Sequence, residues 1–204
     1  MTEAVPTTPS TASPLVERKQ QRARRRIIQA AEELFAARSF DAVSVTDIAA
    51  RAEVGRTTFF RHFGDKMEVV FAKERAMLDS IAAMSSADAG DPPRTTRQAV
   101  ERLRVIVIRV CEQAVEDPAD YARHTALVAR HPELQARDAA KTQSLAITLA
   151  DLLRSQGTAL ATASLAAQLA LACYRTARQV TDAPEDLVQQ THAAFDALLD
   201  LDRG

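Results

Sequence analysis

Residues 43–63 read VSVTDIAARAEVGRTTFFRHF, and the punctuation of this stretch sets the elements around it. Ser44 and Asp47 stand three apart just before Ile48, the spacing of a capping box. That spacing predicts a short helix from Val45 to about Ala52, with Val45, Ile48, Ala49 and Ala52 on its apolar face. Glu53, Val54 and Gly55 then form a tight turn, and Gly55 is expected to supply the left-handed conformation that other residues resist. Arg56 to Phe63 predicts a second short helix, buried through Phe59 and Phe63. Gly64 ends it. Asp65 with Glu68 repeats the capping logic for a long third helix, from Lys66 to about Met84.

Upstream, Ile27, Ala31, Leu34 and Phe35 recur at helical spacing and predict a helix over about residues 16–38, followed by a break where Phe40 and Val43 plug the same core. Residues 1–15 are rich in Thr, Pro and Ser without periodicity and are expected to form a disordered arm. Downstream, residues 85–95 (SSADAGDPPRT) form a polar Gly/Pro loop, and the domain boundary is placed just before it. Six of the seven Phe residues precede this loop, so the two halves have different cores. Beyond it, residues 97–116 predict a helix apolar nearly all round, expected to be central in its domain. The Asp117-Pro118, His131-Pro132, Gly157 and Asp182–Pro184 breaks imply further helices over about 119–130, 133–155, 159–181 and 185–201. About nine helices result.

Composition agrees with an all-α fold. Among 204 residues there are 40 Ala, only 5 Gly and no Trp, and aromatic residues make up 4%. Ala is the best helix former and Gly one of the worst, while β-sandwiches and barrels draw on aromatic and β-branched residues. With 47% hydrophobic and 26% charged residues the chain can bury a core, which excludes a wholly disordered protein. Two cysteines, Cys111 and Cys173, make no disulfide framework and have no metal-ligand spacing, as expected of small core residues in a reducing compartment. The opening residues lack the basic start and apolar run of a secretion signal, and no stretch approaches the roughly 20 apolar residues that span a bilayer. A cytoplasmic protein without membrane contact is expected.

Charge is unevenly spread. Residues 16–66 hold eleven Lys or Arg against seven Asp or Glu, a net of +4, on a chain whose total is −1. A basic block on an acidic body points to a polyanion for the block alone. Two short helices joined by a three-residue turn and packed on a third describe a helix-turn-helix, whose second helix offers Arg56, Thr57, Thr58, Arg61 and His62 on its outer face. A plain α-hairpin with a polar outer face has the same pattern. The run Arg22, Arg24, Arg25, Arg26 lies where a phosphate backbone would pass, or forms a solvated charged surface; Arg24 and Arg25 are the candidate phosphate contacts.

The run VSVTDIAARAEVGRTTFFRHFGDKMEVV (residues 43–70), with IIQAAEELFAARSFDAV before it (residues 27–43), resembles the N-terminal DNA-binding domain of TetR-family transcriptional regulators. The resemblance covers about residues 24–72. It implies double-stranded DNA as partner and Arg56 at the opening of the recognition helix, where an Arg can bond guanine O6 and N7. Thr57 and Arg61 follow as base or backbone contacts. Thr58, His62 and Lys66 match positions that resemble phosphate contacts, as do Ser44 and Thr46. Phe60 stands where the family usually has Tyr, and either contacts DNA or joins the core.

The resemblance also implies a homodimer built from the last two helices. Residues 159–181 are dense in Ala (Ala161, Ala163, Ala166, Ala167, Ala170, Ala172, Ala177) and carry Leu165 and Leu169, while Leu187, Thr191, Ala194 and Leu198 form a stripe on the last helix. A two-fold dimer implies a pseudo-palindromic operator. A small-molecule effector is implied in a cavity among helices of about residues 97–180. The candidate ligand-binding residues are Arg109, Tyr121, His124, Cys173 and Tyr174, each of which also fits as an ordinary core or surface residue. The segment from about Leu127 to Gly157, containing HPELQAR, resembles regulators whose C-terminal domains accept acyl-CoA-like ligands, so a hydrophobic or acyl-type effector is expected. The domains expected are thus 16–84 for DNA binding with a connecting helix, and 85–204 for effector binding and dimerisation. An enzyme is not expected: there is no nucleophile–base pairing, metal spacing or phosphate-cradling Gly loop, and His62, His124, His131 and His192 are scattered. No cofactor is expected. A helical interaction module that keeps the fold without binding DNA is the alternative.

Overall fold

The computed structural model describes residues 14–73 and 90–201. The expected N-terminal arm, the connecting helix beyond residue 73 and the boundary before residue 85 lie outside the described residues. The described residues form nine α-helices and two 3-10 turns, with no strand. The chain divides into two compact units, residues 1–72 and 73–204.

In the first unit, α1 (Pro14–Ala37) begins two residues earlier than expected and turns Ile27, Ala30 and Ala31 inward. A 3-10 turn (Phe40–Ala42) then carries the chain to Val43; Phe40 and Val43 are both buried, and the Phe40 ring lies 5.2 Å from that of Phe35. The helices α2 (Val45–Arg51), α3 (Arg56–His62) and α4 (Lys66–Val70) complete the unit around one core of Ile27, Val43, Ile48, Ala49, Phe59, Phe63 and Val69. Phe59 is fully buried, so its truncation to Ala costs about 3–5 kcal/mol. The long helix expected from Lys66 is interrupted: α4 stops at Val70 and Phe71 adopts a turn before helix resumes at residues 72–73.

The turn between α2 and α3 departs from expectation. Gly55 is extended (φ −73°, ψ 151°) as the N-cap of α3, and the left-handed residue is Glu53, at φ 51°. The hydrogen bonds explain the choice. Glu53 N–H donates to the Ala50 carbonyl at 3.0 Å and Val54 N–H to the Ala49 carbonyl at 2.9 Å, the paired bonds of a Schellman motif. Left-handed geometry belongs to the residue two before Gly55 because that is where α2 closes.

The second unit contains α5 (Thr96–Ala114), α6 (Pro118–Arg130), α7 (Pro132–Ser155), α8 (Leu160–Val180) and α9 (Leu187–Asp200). Thr95 and Gln98 cap α5 reciprocally, and Pro opens both α6 and α7 where its missing N–H costs nothing. The helix expected to be central, α5, buries Ala99, Val100, Leu103, Val107 and Cys111 but leaves Val105 half exposed. The hub is α8, which packs against α5, α7 and α9. Its Ala163, Ala166, Ala167, Ala170 and Ala177 are buried within the chain, since small side chains let three neighbours approach one helix. Leu187, Thr191 and Phe195 of α9 are fully buried in the same core. Five of the seven named alanines of α8 and much of the α9 stripe, expected to face a second subunit, are therefore buried within the chain, while Ala161 and Ala172 stay exposed. No described helix is long and apolar enough to cross a membrane.

Candidate nucleic-acid interface

The seven-residue helix α3 presents a surface made by its own seating. Phe59 and Phe63 anchor it in the core, which turns Arg56, Thr57, Phe60 and Arg61 outward at i, i+1, i+4 and i+5. Phe60 is 48% exposed and rests edge-on against Phe59, with ring centroids 5.5 Å apart. It is a surface residue and not part of the core. Arg56 makes no hydrogen bond or ion pair among the described residues, so its guanidinium is available to a ligand. Arg61 Nη2 donates to Thr58 Oγ1 at 3.3 Å, which leaves the Thr58 hydroxyl hydrogen to donate elsewhere.

Helix α2 is fixed by its capping box. Ser44 Oγ accepts from Asp47 N–H at 3.1 Å and donates to Asp47 Oδ2 at 2.6 Å, while Ser44 N–H donates to the same oxygen at 2.8 Å. These bonds from Ser44 hold the Asp47 carboxyl below the usual carboxylate range. In this conformation the one hydroxyl hydrogen of Ser44 is directed at Asp47, so Ser44 caps α2. Thr46 remains exposed.

Lys66 and Arg24, also expected as phosphate contacts, are engaged within the chain in this conformation. Lys66 Nζ donates to the Phe40 and Val43 carbonyls at 2.8 and 3.1 Å and lies 4.2 Å from the centre of the Phe40 ring. Two of its three donors are committed to holding the α1–α2 connection. Arg24 sits 5.1 Å above the Phe63 ring and Nη2 donates to the Ala72 carbonyl at 3.4 Å. Arg25, its neighbour, is exposed and makes no such contact among the described residues. His62 Nε2 is buried without a hydrogen-bond partner, and burial first, then Arg61 and Arg24, push its pKa down. Enclosed, that nitrogen cannot serve as the expected phosphate contact in this conformation.

Sequence reasoning missed how the turn is held. Arg26 Nη2 lies 2.6 Å from Glu53 Oε2 and also donates to the Glu53 carbonyl at 3.4 Å, so a member of the basic run clasps the left-handed residue. Nothing in a spacing of 27 residues announces such a pair.

In the second unit the expected ligand residues separate. Arg109 is exposed, away from any core, because α5 turns Ile108 and Val110 inward on either side of it. Cys173 is buried with Sγ 3.6 Å from the Ala194 carbonyl, and burial pushes its thiol up to about 11, so it packs as a neutral group. Cys111 likewise sits 3.4 Å from Thr191 Oγ1. His124 is half-buried on α6. Tyr121 and Tyr174 are partly buried against the core, and both lie near Arg178, a residue not anticipated.

Comparison with known proteins agrees with this geometry. Residues 27–72 match the family described as bacterial regulatory proteins, tetR family. The HTH-type transcriptional regulator TcmR of Streptomyces glaucescens is 33% identical over 165 residues, spanning 76% of this chain and 72% of TcmR. A transcriptional repressor of Mycobacterium tuberculosis is 52% identical over 46 residues, 22% of this chain and 24% of its own. Among solved structures, SmeT in its triclosan complex superposes with a TM-score of 0.57 at 21% identity, covering 88% of this chain and 90% of SmeT. SmeT is the repressor of the Stenotrophomonas maltophilia multidrug efflux pump SmeDEF. Thermus thermophilus FadR, solved with lauroyl-CoA, gives 0.56 at 22% identity, covering 87% and 93% of the two chains. On the extent of its likeness to TcmR and the match over its helix-turn-helix, the chain belongs to the tetR family of bacterial transcriptional regulators.

Proposed function

We propose that the chain is a homodimeric repressor that binds a pseudo-palindromic operator and is released from it by a small hydrophobic or acyl-type effector. The observation that carries the reading is the outward face of α3: Arg56, Thr57, Phe60 and Arg61 lie exposed on a helix locked by Phe59 and Phe63. A rigid short helix with an unengaged arginine at its start is suited to the major groove, where paired bonds from Arg to guanine read sequence. Thr46 and Arg25 supply phosphate contacts that set the register. DNA binding is assigned to residues 16–84 and effector binding and dimerisation to residues 85–204. A protein with this partner works in the cytoplasm, where bacterial DNA lies. Triclosan in SmeT and lauroyl-CoA in FadR support an apolar effector in a fold of this kind. Release follows if the effector favours a conformer whose two recognition helices no longer fit successive grooves.

The test is selection from a random-sequence duplex pool at a fixed salt concentration. Enrichment of a pseudo-palindrome is expected. Recovery of no sequence, with or without hydrophobic compounds present, sinks the reading and favours an interaction module.

A further inference from the structure

Two helices of the second unit bring polar side chains to one place. Arg178 lies near the end of α8 with Tyr174 one turn before it, and Asp138 lies on α7. The side chains of Arg178 and Asp138 are 25% and 19% exposed, so both charges are largely out of water without being sealed from it. Arg178 Nη1 lies 3.4 Å from Asp138 Oδ1 and 3.3 Å from Oδ2. One nitrogen straddling two oxygens, at more than the roughly 2.7–2.9 Å of a strong charge-assisted bond, is not the two-armed grip of a guanidinium on a carboxylate. Nothing among the described residues accepts a hydrogen bond from Nε or Nη2. The guanidinium carbon lies 5.6 Å from the Tyr174 ring centre. Burial works against the charge of Arg178, but Tyr174, Asp138 and Tyr121 together outweigh it, so the group stays cationic.

We propose that this cluster recognises an aromatic carboxylate, whose two oxygens take the Nε and Nη2 donors of Arg178 and whose ring lies against Tyr174. The proposal rests on the effector-responsive reading above and names the effector's class. The side-on edge of a guanidinium matches a carboxylate in both spacing and planarity, and Asp138 meanwhile orients the group through Nη1. The Tyr174 ring beside the fork favours a flat apolar body over a flexible chain, since ring–ring contact adds to area burial. The neighbouring Asp138 carboxylate repels the ligand, which sets a modest affinity.

The test is calorimetric titration of the full chain, without DNA, using 2-naphthoate, its neutral amide 2-naphthamide, and decanoate. One naphthoate per chain is expected, with the amide and decanoate at least about tenfold weaker. Arg178→Lys keeps the charge and loses the fork, so naphthoate binding should fall about tenfold or more. Asp138→Asn should bind as well as wild type or better, because the repulsion is gone, and it reports on the site even if the lysine variant melts early. No saturable naphthoate binding, equal binding of the amide or decanoate, or binding untouched by Arg178→Lys would show that the cluster is only an ion pair joining α7 to α8. Operator selection is scored separately, so either reading can fail without the other.

Discussion

Arg24 and Arg25 are neighbours with opposite fates, and the difference divides the basic run into structure and surface. Arg24 lies over Phe63 and reaches the Ala72 carbonyl, whereas Arg25 stays in solvent. Arg25→Ala should therefore weaken binding to operator and random DNA alike and reduce the salt slope by about 1, while Arg56→Ala should cost about 1–3 kcal/mol of preference at one base pair. Titrations on matched and scrambled duplexes at several salt concentrations check both; an equal loss on both duplexes for Arg56→Ala removes its base-reading role. His62 adds a pH dependence. Its folded-state pKa is depressed, chiefly by burial, so below the ordinary value of about 6.5 the unfolded chain takes up a proton that the folded chain refuses. Stability contributed by neutral His62 is present above pH 6.5 and is lost as pH falls from there toward the folded-state value. Melting at pH 7.5 and 5.5 should show a smaller drop for His62→Gln than for wild type, and parallel drops would count against it. At this scale the sequence shows that Arg56, Thr57 and Arg61 of α3 face outward, because Phe59 and Phe63 share one helical face. It leaves Phe60 open and puts His62 outside, whereas the His62 Nε2 is buried. It does not show that Lys66 and Arg24 turn inward, because their partners lie 23–48 residues away and are brought together only by the fold.

Among the elements, caps were legible and the turn was not. Ser44 with Asp47 and Asp65 with Glu68 act within three residues, so their chemistry is local and readable. The α2–α3 turn contains a Gly, yet the left-handed position falls on Glu53, because the end of α2 sets the Schellman register and Gly55 comes two residues too late. The distinction can be tested at Gly55. Its backbone is extended, nothing lies within 4 Å of an added Cβ, and no side chain caps α3. Gly55→Ser should supply a capping oxygen and raise stability by a few tenths to about 1 kcal/mol. Had Gly55 been left-handed, the same change would lower the melting temperature. Glu53→Gly should be more stable than Glu53→Ala by about 1 kcal/mol, since both lose the exposed pair to Arg26 and only glycine relieves the positive φ. Thermal melting of the three variants decides both comparisons.

For the whole molecule, the two cores were foreseeable from the distribution of Phe, but the identity of the central helix was not. A helix apolar all round, such as α5, and an Ala-dense one, such as α8, compete for the middle, and the outcome depends on how closely neighbours must approach. Because Ala166 is fully buried in the chain's own core while Leu165 is 52% exposed, adjacent residues of α8 separate folding from assembly. If two copies associate through the outer face of α8, Leu165→Arg should yield a folded monomer, because the change replaces an apolar contact without disturbing the core. Ala166→Leu should instead overpack the α8 core and cost about 1–3 kcal/mol whatever the oligomeric state. Light scattering with chromatography gives the mass, and circular dichroism the melting temperature, for each variant. A Leu165→Arg protein that keeps the dimer mass would move the interface off this face of α8. A monomer that still melts like wild type would place it there, and should then bind single half-sites with much reduced affinity, since a two-fold pair of recognition helices is what a pseudo-palindrome rewards.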